Sequence, residues 1–185
     1  MDNRFLVKAA RLAVESKFRK VTLPRLPEEK AGVFVTLKTY PRKELRGCIG
    51  FPEARFPISQ GLVEAAKAAA FGDPRFPPLA KEELNRIIFE VSLLTSPEPT
   101  EARGEALLKK LTRKEGVILK KGILSALFLP QVWEQLPDKT EFLEALCHKG
   151  GLPSGSWKSQ ETEVLLFQVT AFAETEPNGL VEQLE

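Results

Sequence analysis

The chain is poor in cysteine and histidine. Its 185 residues include two cysteines, Cys48 and Cys147, and one histidine, His148. Two thiols are too few for the disulfide framework of a small secreted domain, and both are expected to be reduced. Dispersed as they are, these residues lack the ligand spacing of a closed zinc site, so no metal and no cofactor is expected. The Cys–His pair open to nucleophilic catalysis is Cys48 with His148. An excess of charge of one sign is also absent. The formal net charge is +2, too small to draw the chain to nucleic acid or to an anionic membrane. The basic pairs Lys109-Lys110, Arg113-Lys114 and Lys120-Lys121 are scattered and read as a solvated face. No apolar run approaches the roughly 18 residues that span a bilayer. The N-terminus has no signal-peptide core, since Lys8 and Arg11 interrupt it, and the expected compartment is the cytoplasm. No internal repeat and no low-complexity block occurs. The run Gly150-Gly151-Leu152-Pro153-Ser154-Gly155-Ser156 lacks the Gly-Lys-Ser/Thr ending of a phosphate loop and follows a helix instead of a strand.

What is present is an ordinary globular composition, 43% hydrophobic and 28% charged, with length for one domain and a single substantial core. Residues 3–17 have helical spacing, with Phe5, Ala9, Leu12 and Ala13 on one side. Gly32–Thr39 alternates Val33, Val35 and Leu37 against Phe34, Thr36 and Lys38, a strand pattern. Leu45–Ile49 is the returning strand. An Ala-rich helix follows over Ile58–Phe71, opened by Pro57 and closed by Gly72. Asp73–Pro78, with three prolines, is a rigid loop. Arg86–Thr95 reads as a central strand, apolar on both faces. A helix over Glu105–Leu111, a hairpin turning at Lys121-Gly122, helices over Pro130–Leu136 and Thr140–Lys149, and a last strand over Val164–Phe172 complete the pattern. Residues 176–185 are expected to form a flexible tail. Strands and helices interspersed with hairpins point to an α+β fold with a mainly antiparallel sheet flanked by helices.

The most informative segment is Leu45-Arg46-Gly47-Cys48-Ile49-Gly50. Glycines weaken a strand and mark a bulge or a close backbone approach. On a strand, Arg46 and Cys48 share a face, and a thiol beside a guanidinium gains thiolate character. In the functional reading Arg46 binds a carboxylate or phosphate while Cys48 acts as nucleophile or positions a substrate, with Gly47 and Gly50 leaving space above the backbone. In the packing reading Cys48 is a small core residue and Arg46 pairs with a buried acid, Glu90 first and Asp73 second. Asp73 is expected to cap its own loop, with Arg75 pairing with Glu90 or Glu53. Either Asp73 or Arg75 is a candidate ligand contact. Glu90, inside an apolar strand, must be paired or act as general acid or base. Trp133 and Trp157 read as packing residues.

The same six residues resemble a signature of the AMMECR domain family, in the branch called AmmeMemoRadiSam system protein A. Ala70-Phe71-Gly72-Asp73-Pro74-Arg75-Phe76-Pro77-Pro78-Leu79, Phe89-Glu90-Val91-Ser92-Leu93-Leu94, Phe128-Leu129-Pro130-Gln131-Val132-Trp133 and Lys149-Gly150-Gly151-Leu152 look like four further signatures in family order. His148 lies outside them. The resemblance implies an AMMECR domain over 1–175, with a smaller lobe at about 40–85 and a cleft between it and the main sheet. It implies partnership with a Memo-type protein, similar to non-haem dioxygenase folds, and with a radical SAM protein. The shared task would be the modification of a small molecule or a protein, with radical chemistry left to the partner. Candidate catalytic residues are Cys48, Arg46 and Glu90. Candidate binding residues are Arg46, Gly47, Gly50, Asp73 and Arg75. The alternative is a non-catalytic adaptor that docks a partner through the same cleft. A nucleic-acid regulator, the third reading, is disfavoured by the weak charge and by the lack of interleaved basic and aromatic residues.

Overall fold

The computed structural model describes residues 3–184. In chain order the elements are α1 (Phe5–Glu15), β1 (Gly32–Thr39), β2 (Leu45–Phe51), α2 (Ile58–Phe71), β3 (Ile87–Leu94), β4 (Glu98–Thr100), α3 (Gly104–Lys110), β5 (Glu115–Lys121), β6 (Leu124–Phe128), α4 (Lys139–Lys149), β7 (Glu163–Glu174) and β8 (Val181–Gln183). All the strand pairings described are antiparallel. The fold is α+β, as the interspersed pattern predicts.

Two compact units divide the chain. One holds the residues up to Leu94 together with those from Thr170 onward. Its strands run β2-β1-β3-β7, with β8 paired to the end of β7. Alternation in β1 sends Val33, Val35 and Leu37 into the core, where they meet Leu6, Ala10, Leu62, Ala66, Phe89 and Val91 from α1, α2 and β3. The small residues of α2 let it approach β2 closely. A Cβ on Gly47 would lie 2.1 Å from the Ala69 carbonyl oxygen. Arg11, on the buried side of α1, is accommodated by a bidentate pair with Glu174 and by the carbonyls of Leu84 and Ile87. A buried guanidinium so fully matched ties α1 to β7 and to the entry of β3.

Thr95–Val169 form the second unit. Here β4 and β5 flank the first half of β7, and β6 pairs with β5. Its own core gathers Leu107, Val117, Leu119, Phe142, Leu146, Trp157 and Val164. Trp133 stacks on Phe142 with ring centroids 3.6 Å apart, and its indole N–H donates to the Glu115 carbonyl. Both tryptophans are packing residues.

Several expectations are corrected. Segment 40–85 is not a separate lobe, because β2 pairs with β1 and α2 shares the core of α1 and β3; the second unit begins at Thr95. Of the tail expected over 176–185, Glu185 lies outside the described residues, and residues 176–184 are not simply a tail. Asn178, with φ 61°, turns the chain so that Val181–Gln183 pairs with Phe172–Glu174 and Val181 packs on the core. Pro130–Glu134 is a 3-10 helix, and β4 is too short to leave a sequence pattern.

Candidate functional site

Strand β2 enters the sheet through a bulge. Leu37 lies opposite Gly47 and Lys38 opposite Leu45, so Arg46 is the extra residue. Bulges re-aim side chains, and Arg46 leaves the partners expected for it. Its Nε and Nη2 donate to Glu83, at 2.7 and 3.0 Å, and Nη2 also donates to the Pro77 carbonyl at 3.0 Å. Nη1 is buried without a hydrogen-bond partner. The acid is therefore neither Glu90 nor Asp73. Glu83 sits in a 3-10 turn, Lys81–Arg86, and also accepts from its neighbour Ala80 N–H at 2.8 Å. The Arg46 hydrogen bonds hold its carboxyl below the usual range, against the opposing effect of burial.

Beyond the bulge the register is regular. Cys48 faces Thr36 on β1, and Thr36 faces Glu90 on β3, so the three residues form one row across the sheet. The Thr36 hydroxyl donates to Cys48 Sγ at 3.3 Å. Lys38, two residues along on the same face, pairs with Glu90 at 2.7 Å. Glu90 is thus partnered by neither arginine, and its negative charge is balanced within the sheet.

The outer edge of β2 is closed by the loop after α2. Asp73 Oδ2 accepts from the Cys48 N–H at 2.9 Å. Arg75 Nη2 donates to the Cys48 carbonyl at 3.2 Å. Carboxylate and guanidinium together take the donor and acceptor that a further strand would have taken. Asp73 also caps its own loop through the Arg75 N–H at 3.1 Å and chelates the Arg75 side chain at 2.9 and 2.7 Å. Arg75 pairs with Asp73, not with Glu90 or Glu53. The Asp73 side chain is only 1% exposed. The Arg75 hydrogen bonds hold its carboxyl well below the usual carboxylate range despite burial, with the Cys48 and Arg75 N–H groups adding to the effect. Arg75 is correspondingly raised by Asp73.

Gly47 and Gly50 do not open a cradle. The space beside Gly47 is taken by the Ala69 carbonyl, and a Cβ on Gly50 would lie 2.4 Å from both the Phe34 ring and the Val33 carbonyl. Two concavities in the structure are lined by other residues, one by the β4–β7 neighbourhood and one by α1 with Glu174 and Asn178. Cys48 instead lies half-buried on the sheet face. His148 is exposed on α4, while its neighbour Cys147 is fully buried and its thiol is pushed up by desolvation. Both cysteines are free. The glycine-rich run after α4 closes around an internal anion: Glu144 accepts from the Ser154 hydroxyl, the Gly155 N–H and the Trp157 indole.

The structure thus brings Cys48 together with Asp73 and Arg75, joins Arg46 to a neighbouring cluster, and aligns Glu90 through Thr36. The residues missing from the sequence reading are Thr36, Lys38 and Glu83. Thr36 and Lys38 carry a signal, since they are the polar positions of an alternating strand. Glu83 carries none, being 37 residues from Arg46 in a short turn.

The AMMECR1 family profile matches residues 7–172. The chain belongs to the AMMECR1 family. It is 44% identical to Protein TV1384 of Thermoplasma volcanium over 184 residues, which cover 96% of this chain and 92% of that protein. A protein of Aquifex aeolicus is 42% identical, with 100% and 98% covered. The crystal structure of the uncharacterized protein PH0010 from Pyrococcus horikoshii superposes with a TM-score of 0.87 at 39% identity, covering 98% of this chain and 96% of that one.

Proposed function

We propose that this protein is a component of a three-part system with a Memo-type protein and a radical SAM protein, the role implied by its resemblance to AmmeMemoRadiSam system protein A. In this reading the sheet face around Cys48 meets a small-molecule or protein substrate, and the protein works in the cytoplasm with its thiols reduced. The observation that carries the reading is the grip of Asp73 and Arg75 on both backbone groups of Cys48. An almost fully buried carboxylate is committed to fixing a half-exposed thiol. The packing thiol Cys147 is instead fully buried in the core of the second unit. Thr36 aims the sulfur. Arg75, 53% exposed at its side chain, is the cation offered to a ligand, and Arg46 with Glu83 braces the loop that carries Asp73. Glu90 is held by Lys38, so a nucleophilic step by Cys48 would draw its base from the substrate or the partner.

The second reading, a non-catalytic adaptor, is favoured by one observation: neither described concavity includes Cys48, and an open face suits a protein surface. Reconstitution with the Memo-type and radical SAM proteins separates the two. Cys48→Ser is expected to bind the partners normally and to abolish turnover. Loss of binding by Cys48→Ser and Arg75→Ala would establish the adaptor. Normal binding and normal turnover would overturn the site.

A further inference from the structure

We propose that the outer edge of β6 is a docking site for an extended, acidic and apolar segment of a partner protein, which adds to the second unit's sheet as a further strand. The inference does not depend on the Cys48 reading, because it concerns another element and another chemistry.

The sheet order ends at β6. Lys121 faces Leu124 across a two-residue turn, Gly122-Ile123, with Gly122 at φ 58°. In such a hairpin the residues that close the turn exchange hydrogen bonds, and alternate residues point their backbone groups away from the neighbour. The bonded pairs are therefore Lys121 with Leu124, Leu119 with Ala126 and Val117 with Phe128. Ser125 and Leu127 face outward. The Leu127 carbonyl confirms this direction, since it accepts from the Lys149 ammonium at 2.8 Å, on the side away from β5. An open edge of N–H and C=O groups is complementary to one thing above all, an extended chain.

The chemistry of that chain follows from what surrounds the edge. Ile123 is 100% exposed and Leu124 39% exposed at the hairpin tip, an apolar anchor that solvent does not favour. Lys121 closes the same turn, and Lys149 reaches the edge further along, at the Leu127 carbonyl. Lys121 has only an exposed ion pair with Glu161, which salt and water largely screen. Lys149 lies over the Phe128 ring as well as on the edge, and could pass from the Leu127 carbonyl to an arriving carboxylate. A second copy of this chain fits poorly, because β6 itself, Leu124–Phe128, carries no carboxylate to meet Lys149 at the edge. An acidic strand with alternate apolar residues matches both the charge and the anchor.

The test uses the whole protein and two short synthetic peptides, one alternating Glu and Val and one alternating Lys and Val. Amide hydrogen exchange is followed by NMR. The Glu/Val peptide is expected to slow exchange at Ser125 and Leu127 by about tenfold or more, while the Lys/Val peptide leaves both unchanged. Raised salt should weaken the effect. Ser125→Pro, placed where the N–H points outward and an edge tolerates proline, should abolish peptide binding while preserving the near-ultraviolet signal of Trp133 and Trp157. Ile123→Ser and Lys149→Glu, both at exposed positions, should each weaken it. The proposal is overturned if neither peptide protects the edge, if both protect it equally, or if protection rises with protein concentration alone, which would make the occupant a second copy.

Discussion

Cys48 is held from three directions, by Thr36 at its sulfur, Asp73 at its N–H and Arg75 at its carbonyl. Removing the carboxylate separates positioning from packing. Asp73→Ala should cost about 1–3 kcal/mol, because it leaves a buried N–H unsatisfied and frees Arg75. Denaturant unfolding measures that cost, and alkylation of Cys48 should become less uniform between conformers. Arg46→Ala is expected to cost about 1–3 kcal/mol, between the values for exposed and enclosed pairs, since Glu83 is 35% exposed and can hydrate. Native thiol titration should find one reactive cysteine, Cys48, with Cys147 appearing only on unfolding; two reactive thiols in the native protein would contradict the burial of Cys147. At this scale the sequence was a partial guide. Residue types pointed to Arg46, Cys48, Asp73, Arg75 and Glu90, and Asp73 capping its own loop followed from local chemistry. The pairings did not follow, because a one-residue bulge redirects Arg46 and because Glu83 reaches it from a turn without any periodic signal.

The packing of α2 on the sheet depends on glycine where it meets β2 and tolerates more where it meets β1. At Gly47 the obstruction is backbone, the Ala69 carbonyl, which has no rotamer to yield. Gly47→Ala should therefore destabilise by about 1–3 kcal/mol or more through overpacking. At Gly61, inside α2, a Cβ would meet Val33 Cγ1 at 3.1 Å, a side chain able to shift. The roughly 1 kcal/mol gained in helix propensity offsets that strain, so Gly61→Ala should stay within about 1 kcal/mol of the parent. Thermal unfolding of the two variants side by side checks the contrast. The helices with a strong apolar stripe, and the alternating strand β1, were legible because periodicity reports which face is buried. Strands β4 and β8 were not, since three residues carry no period and their pairing with β7 is decided by tertiary contact.

Over the whole molecule, Asp73, Glu83 and Glu144 have lowered folded-state pKa values. A carboxyl depressed on folding contributes stability above its unfolded value, about 4, and loses it as pH falls through the folded value. The protein should therefore lose stability progressively below about pH 4, and Asp73→Asn should show a smaller loss between neutral and acid pH than the parent. Equal acid sensitivity in the two would contradict the assignment. For the molecule entire, the pattern of apolar positions and turns determined a mainly antiparallel α+β protein, no helix among its described residues being long and apolar enough to cross a membrane, and the ordered motifs determined the family. Those properties are sums over many residues or local periods, so they survive in the linear sequence. The division at Thr95 and Val169, the return of the C-terminal residues as β8, and the partner of each charge were decided only by tertiary structure. They depend on which distant elements pack together, and a hydrogen bond across 37 residues leaves no trace in the spacing of either partner.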